Sequence, residues 1–384
     1  MIRKNHKYLH RMSRATGEIC RHVVDYMVND AKIANANKAN VQRLLSLLEM
    51  SGTYSLLGWN GRSDFSKYKK DKNINPFIIP IAKSTKNDRI IGFMRWPTQK
   101  EDMELQLVST NQVGLCLESL NTTDYCYKMV IEMDTEKHPS ANEAIEVYNK
   151  DNNEKIYNSK DYMMFLEKFK GKFPVETVAD KRLALDRFLL NKFGNFPEVY
   201  QRLANNLFIK NNSTSALITC EMGVDKFYGY GHPISFHADV LSRIPGNEKE
   251  ATHAARASMR MPVWTCASTL TQLESTVKLA GFTSMQKLGE MHYVRYKYHS
   301  LTCSISITHS LAICIRSSDP REKDISEKGI SPAQISLDQA AHLMDAVALG
   351  HVQGGWNSII EPLAKKYRDG GHIEIAAFIQ TQLS

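Results

Sequence analysis

The densest run of reactive side chains is Tyr228–Asp239, YGYGHPISFHAD, followed by His253 and by Trp264-Thr265-Cys266. His232, His237, Asp239 and His253 are residue types that hold a first-row metal. Their spacing opposes that chemistry. His232 and His237 are five apart, not the four that puts two ligands on one helix face. Two Cys–His pairs, Cys266 with His253 and Cys303 with His309, have the types for a thiolate nucleophile and its base. Neither carries a flanking nucleophile signature. Gly229-x-Gly231 lacks the third glycine and the preceding strand of a dinucleotide loop. The expectation is therefore no catalytic, metal or cofactor-binding residue. Tyr228, Tyr230, His232 and Trp264 are expected instead to contact a protein partner, since Tyr and Trp are enriched at interfaces.

A second candidate chemistry is phosphate binding. Lys plus Arg number 49 against 41 Asp plus Glu, a net charge of +8. That bias favours acidic surfaces, RNA or anionic lipid without amounting to a dedicated nucleic-acid binder. The charge is uneven. Residues 1–17 hold Arg3, Lys4, Lys7, Arg11 and Arg14 and no acid. Residues 66–100 are Lys-rich and interleaved with Tyr68, Phe77, Phe93 and Trp96, a pattern that suits single-stranded RNA. Arg3, Lys4, Lys7, Arg11, Lys69, Lys70 and Lys72 are the candidate phosphate contacts. The stretch 136–160 is acidic and reads as a surface excursion.

The elements that must position these residues follow from periodicity. Two helices are expected over 16–50, from the stripes Cys20, Val23, Met27 and Val41, Leu44, Leu45, Leu48. Residues 60–88 read as a long connection. Short strands are expected near 89–108, then a helix over about 111–133. From 161 to 280 the chain reads as helices with short turns. A strand pair is expected near 291–316, and helices near 336–349, 357–368 and 372–383 close the chain. The class is α+β, mostly helical. The expected regions are 1–17, 18–135, 136–160, 161–280 and 281–384.

One internal similarity stands out. Tyr200, Leu203, Ala204 and Leu207 recur as Ile234, His237, Ala238 and Leu241, and Ala216 and Cys220 recur as Ala251 and Ala255. Each unit is helix, turn, helix, with Ser213 and Asn247 where an N-cap belongs. Pro197 and Pro233 open the first helix of each unit, where a missing N–H costs nothing. Residues 196–262 thus resemble a tetratricopeptide-type helical repeat, which implies helical hairpins used for protein–protein docking.

The basic, acid-free start, with Ser, Thr and scattered apolar residues, has the composition of an organelle transit segment, and a mitochondrial address is expected. No apolar run is long enough to cross a membrane. Seven scattered Cys show no disulfide framework. Together these point to a non-enzymatic structural subunit of a large mitochondrial assembly, of respiratory or ATP synthase type, whose partners are other protein subunits. The alternatives are an RNA-contacting mitochondrial ribosomal protein and an enzyme built on His232, His237 and Asp239.

Overall fold

The computed structural model describes residues 2–33, 37–59, 62–97, 105–110, 114–150, 156–172, 175–267, 269–287 and 331–383, with backbone alone for 2–15 and 62–63. The expected strand pair at 291–316, with Cys303 and His309, lies outside the described residues. The chain forms two compact units, Met1–Tyr228 and Gly229–Ser384.

The first unit is mixed. Helix α1 (Ile2–Asn29) packs on α2 (Lys38–Met50) through Cys20, Val23 and Met27. Asn37 caps α2, accepting from the amides of Ala39 and Asn40. Five antiparallel strands follow in a meander: β1 (Tyr54–Leu56), β2 (Ile78–Ser84), β3 (Ile90–Met94), β4 (Gln106–Thr110) and β5 (Leu115–Ser119). All five residues of β3 are buried, so both sheet faces are covered at its centre and the strand reads as a continuous apolar run.

The stretch 60–88 is more than a connection. It carries α3 (Arg62–Lys72) and β2. Lysines dilute the helical stripe of α3, and Pro80 interrupts the strand signal of β2. Proline is tolerated there because the register shifts by a bulge between Pro80 and Ala82. The expected helix over 111–133 begins with β5 instead. Leu115 and Leu117 are two apart and both buried, which is strand spacing. The helix proper is α4 (Thr122–Thr135), capped by Asn121.

The acidic stretch 136–160 also corrects the expectation of a surface excursion. It holds α5 (Ala141–Asn149), packed on α2 and α4 with Ala144 and Tyr148 fully buried. Glu146 faces solvent, while the small and aromatic positions face inward. Four more helices complete the unit: α6 (Ser159–Lys170), α7 (Val178–Lys192), α8 (Pro197–Ile209) and α9 (Ser213–Lys226). A reciprocal Thr177–Asp180 capping box starts α7. Pro197 opens α8 as expected, whereas the cap of α9 is Asn212, not Ser213.

The second unit is helical among its described residues: α10 (Gly231–Ser242), α11 (Glu248–Ser258), a 3-10 turn at Val263–Thr265, α12 (Leu270–Leu279), α13 (Pro332–Ala348), α14 (Trp356–Asp369) and α15 (Ile373–Gln380). Asn247 stands at the cap position of α11 but makes no side-chain cap bond. Asp345 of α13 accepts from the Val263 amide at 2.7 Å and fixes the 3-10 turn. The hairpins α8–α9 and α10–α11 are both tightly paired. Ala204, Ala216, Ala238, Ala251 and Ala255 are all fully buried, as the spacing of small residues requires for close helix approach. The two hairpins belong to different compact units.

Candidate docking surfaces

The expected contact residues divide. Tyr228 is 85% exposed. His232 is half-buried. Tyr230 and Trp264 are core residues, 2% and 4% exposed, and are removed as contacts. The sequence marks them as aromatic but cannot say that the start of α10 and the 3-10 turn fold inward. Gly231 sets that geometry. Its amide donates to Thr265 Oγ1 at 3.0 Å, and a side chain at this position would run into Cys266.

The Cys266–His253 pair divides in the same way. His253 is exposed on α11, while Cys266 is fully buried and its thiol donates to the Ser258 carbonyl at 3.1 Å. Burial pushes the Cys266 thiol well above the ordinary cysteine range, the opposite of an activated nucleophile. Asp239 pairs with Arg243 one turn on. Among the described residues no group of His, Cys, Asp or Glu could hold a metal ion.

The phosphate candidates are also split. Lys70 and Lys72 are exposed on α3. Arg3, Lys4, Lys7 and Arg11 lie in the first turns of α1, where the backbone alone is described. Lys69 is fully buried and is removed as a phosphate contact. Its ammonium donates to the Pro76 carbonyl at 2.8 Å and lies 5.5 Å from the centre of the Phe65 ring. Burial drives its pKa well below the usual lysine value. Such a group makes the folded state more stable above the unfolded-chain pKa of about 10.4, and this stability is lost as pH falls through the interval down to the folded value. Lys69→Met is therefore expected to raise stability by about 1 kcal/mol or more at pH 7 and by less at pH 10. Thermal melts at the two pH values check this; an equal or smaller gain at pH 7 contradicts it.

Two outward apolar faces were not marked by the sequence. On α9, Ile218 and Met222 are 52% and 50% exposed and lie one turn apart. The opposite face, Ala216, Cys220 and Gly223, packs on α8, with Gly223 set against the Tyr200 side chain. On α6, Met163 and Met164 are 53% and 59% exposed, while Tyr162 and Phe169 turn inward. Adjacent exposed methionines make an adaptable contact surface. The periodic spacing was visible, but which stripe is inner depends on the neighbouring helix.

A network of charges braces α4, α7 and α8. Buried Lys128 of α4 donates to Glu198 Oε2 of α8 at 3.0 Å. Arg202 of α8 donates to both oxygens of Asp186 on α7, at 2.9 and 2.6 Å, and also pairs with Glu198. Arg182 of α7 donates to Glu132 of α4 at 2.7 Å. The Lys128 charge holds the Glu198 carboxyl far below the usual range. Burial opposes the Lys128 ammonium, but Glu198, Glu132 and Glu118 outweigh it and its pKa rises. Such an arrangement ties α4, α7 and α8 together.

Comparison with known proteins gives a consistent picture. Three family models match in chain order: PAB N-terminal over residues 22–165, PAB middle domain over 197–283 and PAB C-terminal domain over 315–382. The region resembling a tetratricopeptide repeat is thus matched as part of the PAB middle domain. The chain is 28% identical over 308 residues to Protein IN CHLOROPLAST ATPASE BIOGENESIS, chloroplastic, of Arabidopsis thaliana, covering 79% of this chain and 78% of the relative. No solved structure matches the chain.

Proposed function

We propose that this chain, whose segments match the three PAB models in order, is a non-enzymatic factor that assists assembly of an ATP synthase in a bioenergetic organelle. The observation that carries this is the similarity, along most of both chains, to a protein named for chloroplast ATPase biogenesis. The physical features agree with such work. Exposed methionines on α6 and the Ile218–Met222 face of α9 offer apolar surface to a partly folded client. Among the described residues no helix is long and apolar enough to cross a membrane.

The earlier expectation of a stoichiometric structural subunit differs in one measurable respect. A subunit stays with the finished complex; an assembly factor leaves it. Deleting the gene is expected to lower the amount of assembled ATP synthase on native gels several-fold while its subunits are still synthesised. The tagged full chain should co-purify with ATP synthase subunits in partial complexes, with or without ribonuclease. Unchanged ATP synthase in the deletion strain sinks the proposal. Ribonuclease-sensitive association with ribosomes favours the RNA-contacting alternative, and constant stoichiometry in the finished enzyme favours the structural subunit. A fluorescent fusion to the full chain separates the mitochondrial address expected from composition from the plastid address suggested by the relative.

A further inference from the structure

Helix α6 is held on α7 by its inner face. Tyr162 and Phe165 pack on the Phe188 ring at 5.5 and 5.4 Å between ring centres, and the Arg187 guanidinium lies 5.7 Å from the centre of the Phe169 ring. Lys192, at the end of α7, donates to Asp161 Oδ2 at 3.3 Å and ties down the first turn of α6. What faces outward then follows from 3.6 residues per turn. Lys160, Met164 and Lys168 stand at i, i+4 and i+8 and form one ridge, all three exposed. Met163 and Glu167 form the ridge beside it, and Lys170 donates to Glu167 Oε1 at 2.8 Å. Among the described residues Lys160 and Lys168 take part in no ion pair. The first ridge is thus cation, methionine, cation, each about 6 Å from the next along the helix axis.

Spacing and charge together restrict the occupant. Methionine adapts its shape to an apolar partner. Lysines one turn to either side attract carboxylates at the same interval and repel cations. A helix supplies that interval without further folding, because its residues four apart are one turn apart and its ridges pack beside those of another helix. The other outward apolar face differs in charge. Ile218 and Met222 on α9 are accompanied by exposed Glu221 and Asp225, which oppose an acidic segment. An anionic bilayer suits α6 less well than a helix does, because Glu167 projects on the same side as both methionines and would meet the headgroups. We propose that the Lys160–Met164–Lys168 ridge docks an amphipathic helix of a protein partner, one that presents carboxylate, apolar side chain and carboxylate at i, i+4 and i+8. This names the kind of client segment that α6 takes, and it rests on the assembly function proposed above only for the partner being a protein.

The test uses the full chain and two fluorescent alanine-based helical peptides, one with Glu, Leu and Glu at i, i+4 and i+8, the other with Lys, Leu and Lys. Anisotropy should show saturable binding of the acidic peptide, roughly tenfold tighter than the basic one at low salt and weaker as salt rises. Lys160→Glu/Lys168→Glu should invert that preference. Lys70→Glu/Lys72→Glu on α3 changes the net charge by the same amount at exposed positions and should leave the preference in place. The pair of double variants separates the ridge from the overall charge of +8. Met164→Ser, also at an exposed position, should weaken the acidic peptide several-fold. No saturable binding, equal loss in the two double variants, or undiminished binding by Lys160→Glu/Lys168→Glu overturns the proposal. So does binding to phosphatidylglycerol–phosphatidylcholine vesicles, or a concentration-dependent dimer in sedimentation, that Lys160→Glu/Lys168→Glu abolishes; the ridge would then belong to a lipid surface or to a second copy. ATP synthase levels in the deletion strain are read independently of these peptides, so the two proposals fail separately.

Discussion

Gly92→Ala is expected to cost about 3 kcal/mol or more and to open the sheet of the first unit. Gly92 stands in the central strand, opposite Pro80 of β2 and Val108 of β4. A methyl group there would be forced into the Ile79 carbonyl oxygen and would lie 2.9 Å from Ile78 Cγ2. The side chain of Ile78 can move; the carbonyl belongs to the neighbouring strand and cannot. The requirement is for space, not for an unusual backbone conformation. Trimming the flexible neighbour, as in Gly92→Ala with Ile78→Val, should therefore recover little. Hydrogen exchange read by mass spectrometry gives the measurement unit by unit. Peptides spanning 78–94 should lose protection, and peptides from α14 and α15 should not. Unchanged protection at 78–94 would show that β2 can yield.

Asp186→Ala is expected to cost about 3–5 kcal/mol, the range for removing one partner of a buried ion pair. The Asp186 side chain is 3% exposed and receives two hydrogen bonds from Arg202, with Arg182 a further 3.5 Å away. Its loss leaves two guanidinium groups at the α7–α8 contact without their buried counter-charge. The double variant Asp186→Leu/Arg202→Met should cost much less than the single one, because a well-packed apolar pair avoids both desolvation penalties. Urea midpoints of the two proteins decide this. A double variant as unstable as Asp186→Ala would mean that packing volume, not the stranded charge, sets the cost.

Local signals reached far into this fold. The apolar stripes of α1 and α2, the strand at β3, the helices from 161 to 280 and the three C-terminal helices stand where periodicity places them. So do the small residues inside the two hairpins, because a helix pair packed closely has room for little else. Local misreadings have local causes. Pro80 masked β2, whose bulge accommodates it, and Leu115 and Leu117 were absorbed into a helix although their spacing of two belongs to β5. The candidate contacts fared worse. Tyr228 is outward, but Tyr230 two residues on is core, as are Trp264 and the ammonium of Lys69.

The division has one physical reason. Hydrogen bonding within a helix, capping and side-chain periodicity are set by residues a few positions apart, so the chain's own order determines them. That order also set the basic bias, the uneven charge and the small-residue pattern of the hairpins. Whether a face is covered depends on groups far along the chain: Tyr200 against Gly223, Phe65 and Trp59 beneath α1, Arg202 reaching Asp186. Only the tertiary structure decided that Met163, Met164, Ile218 and Met222 remain outside and that Tyr230 and Trp264 turn inward.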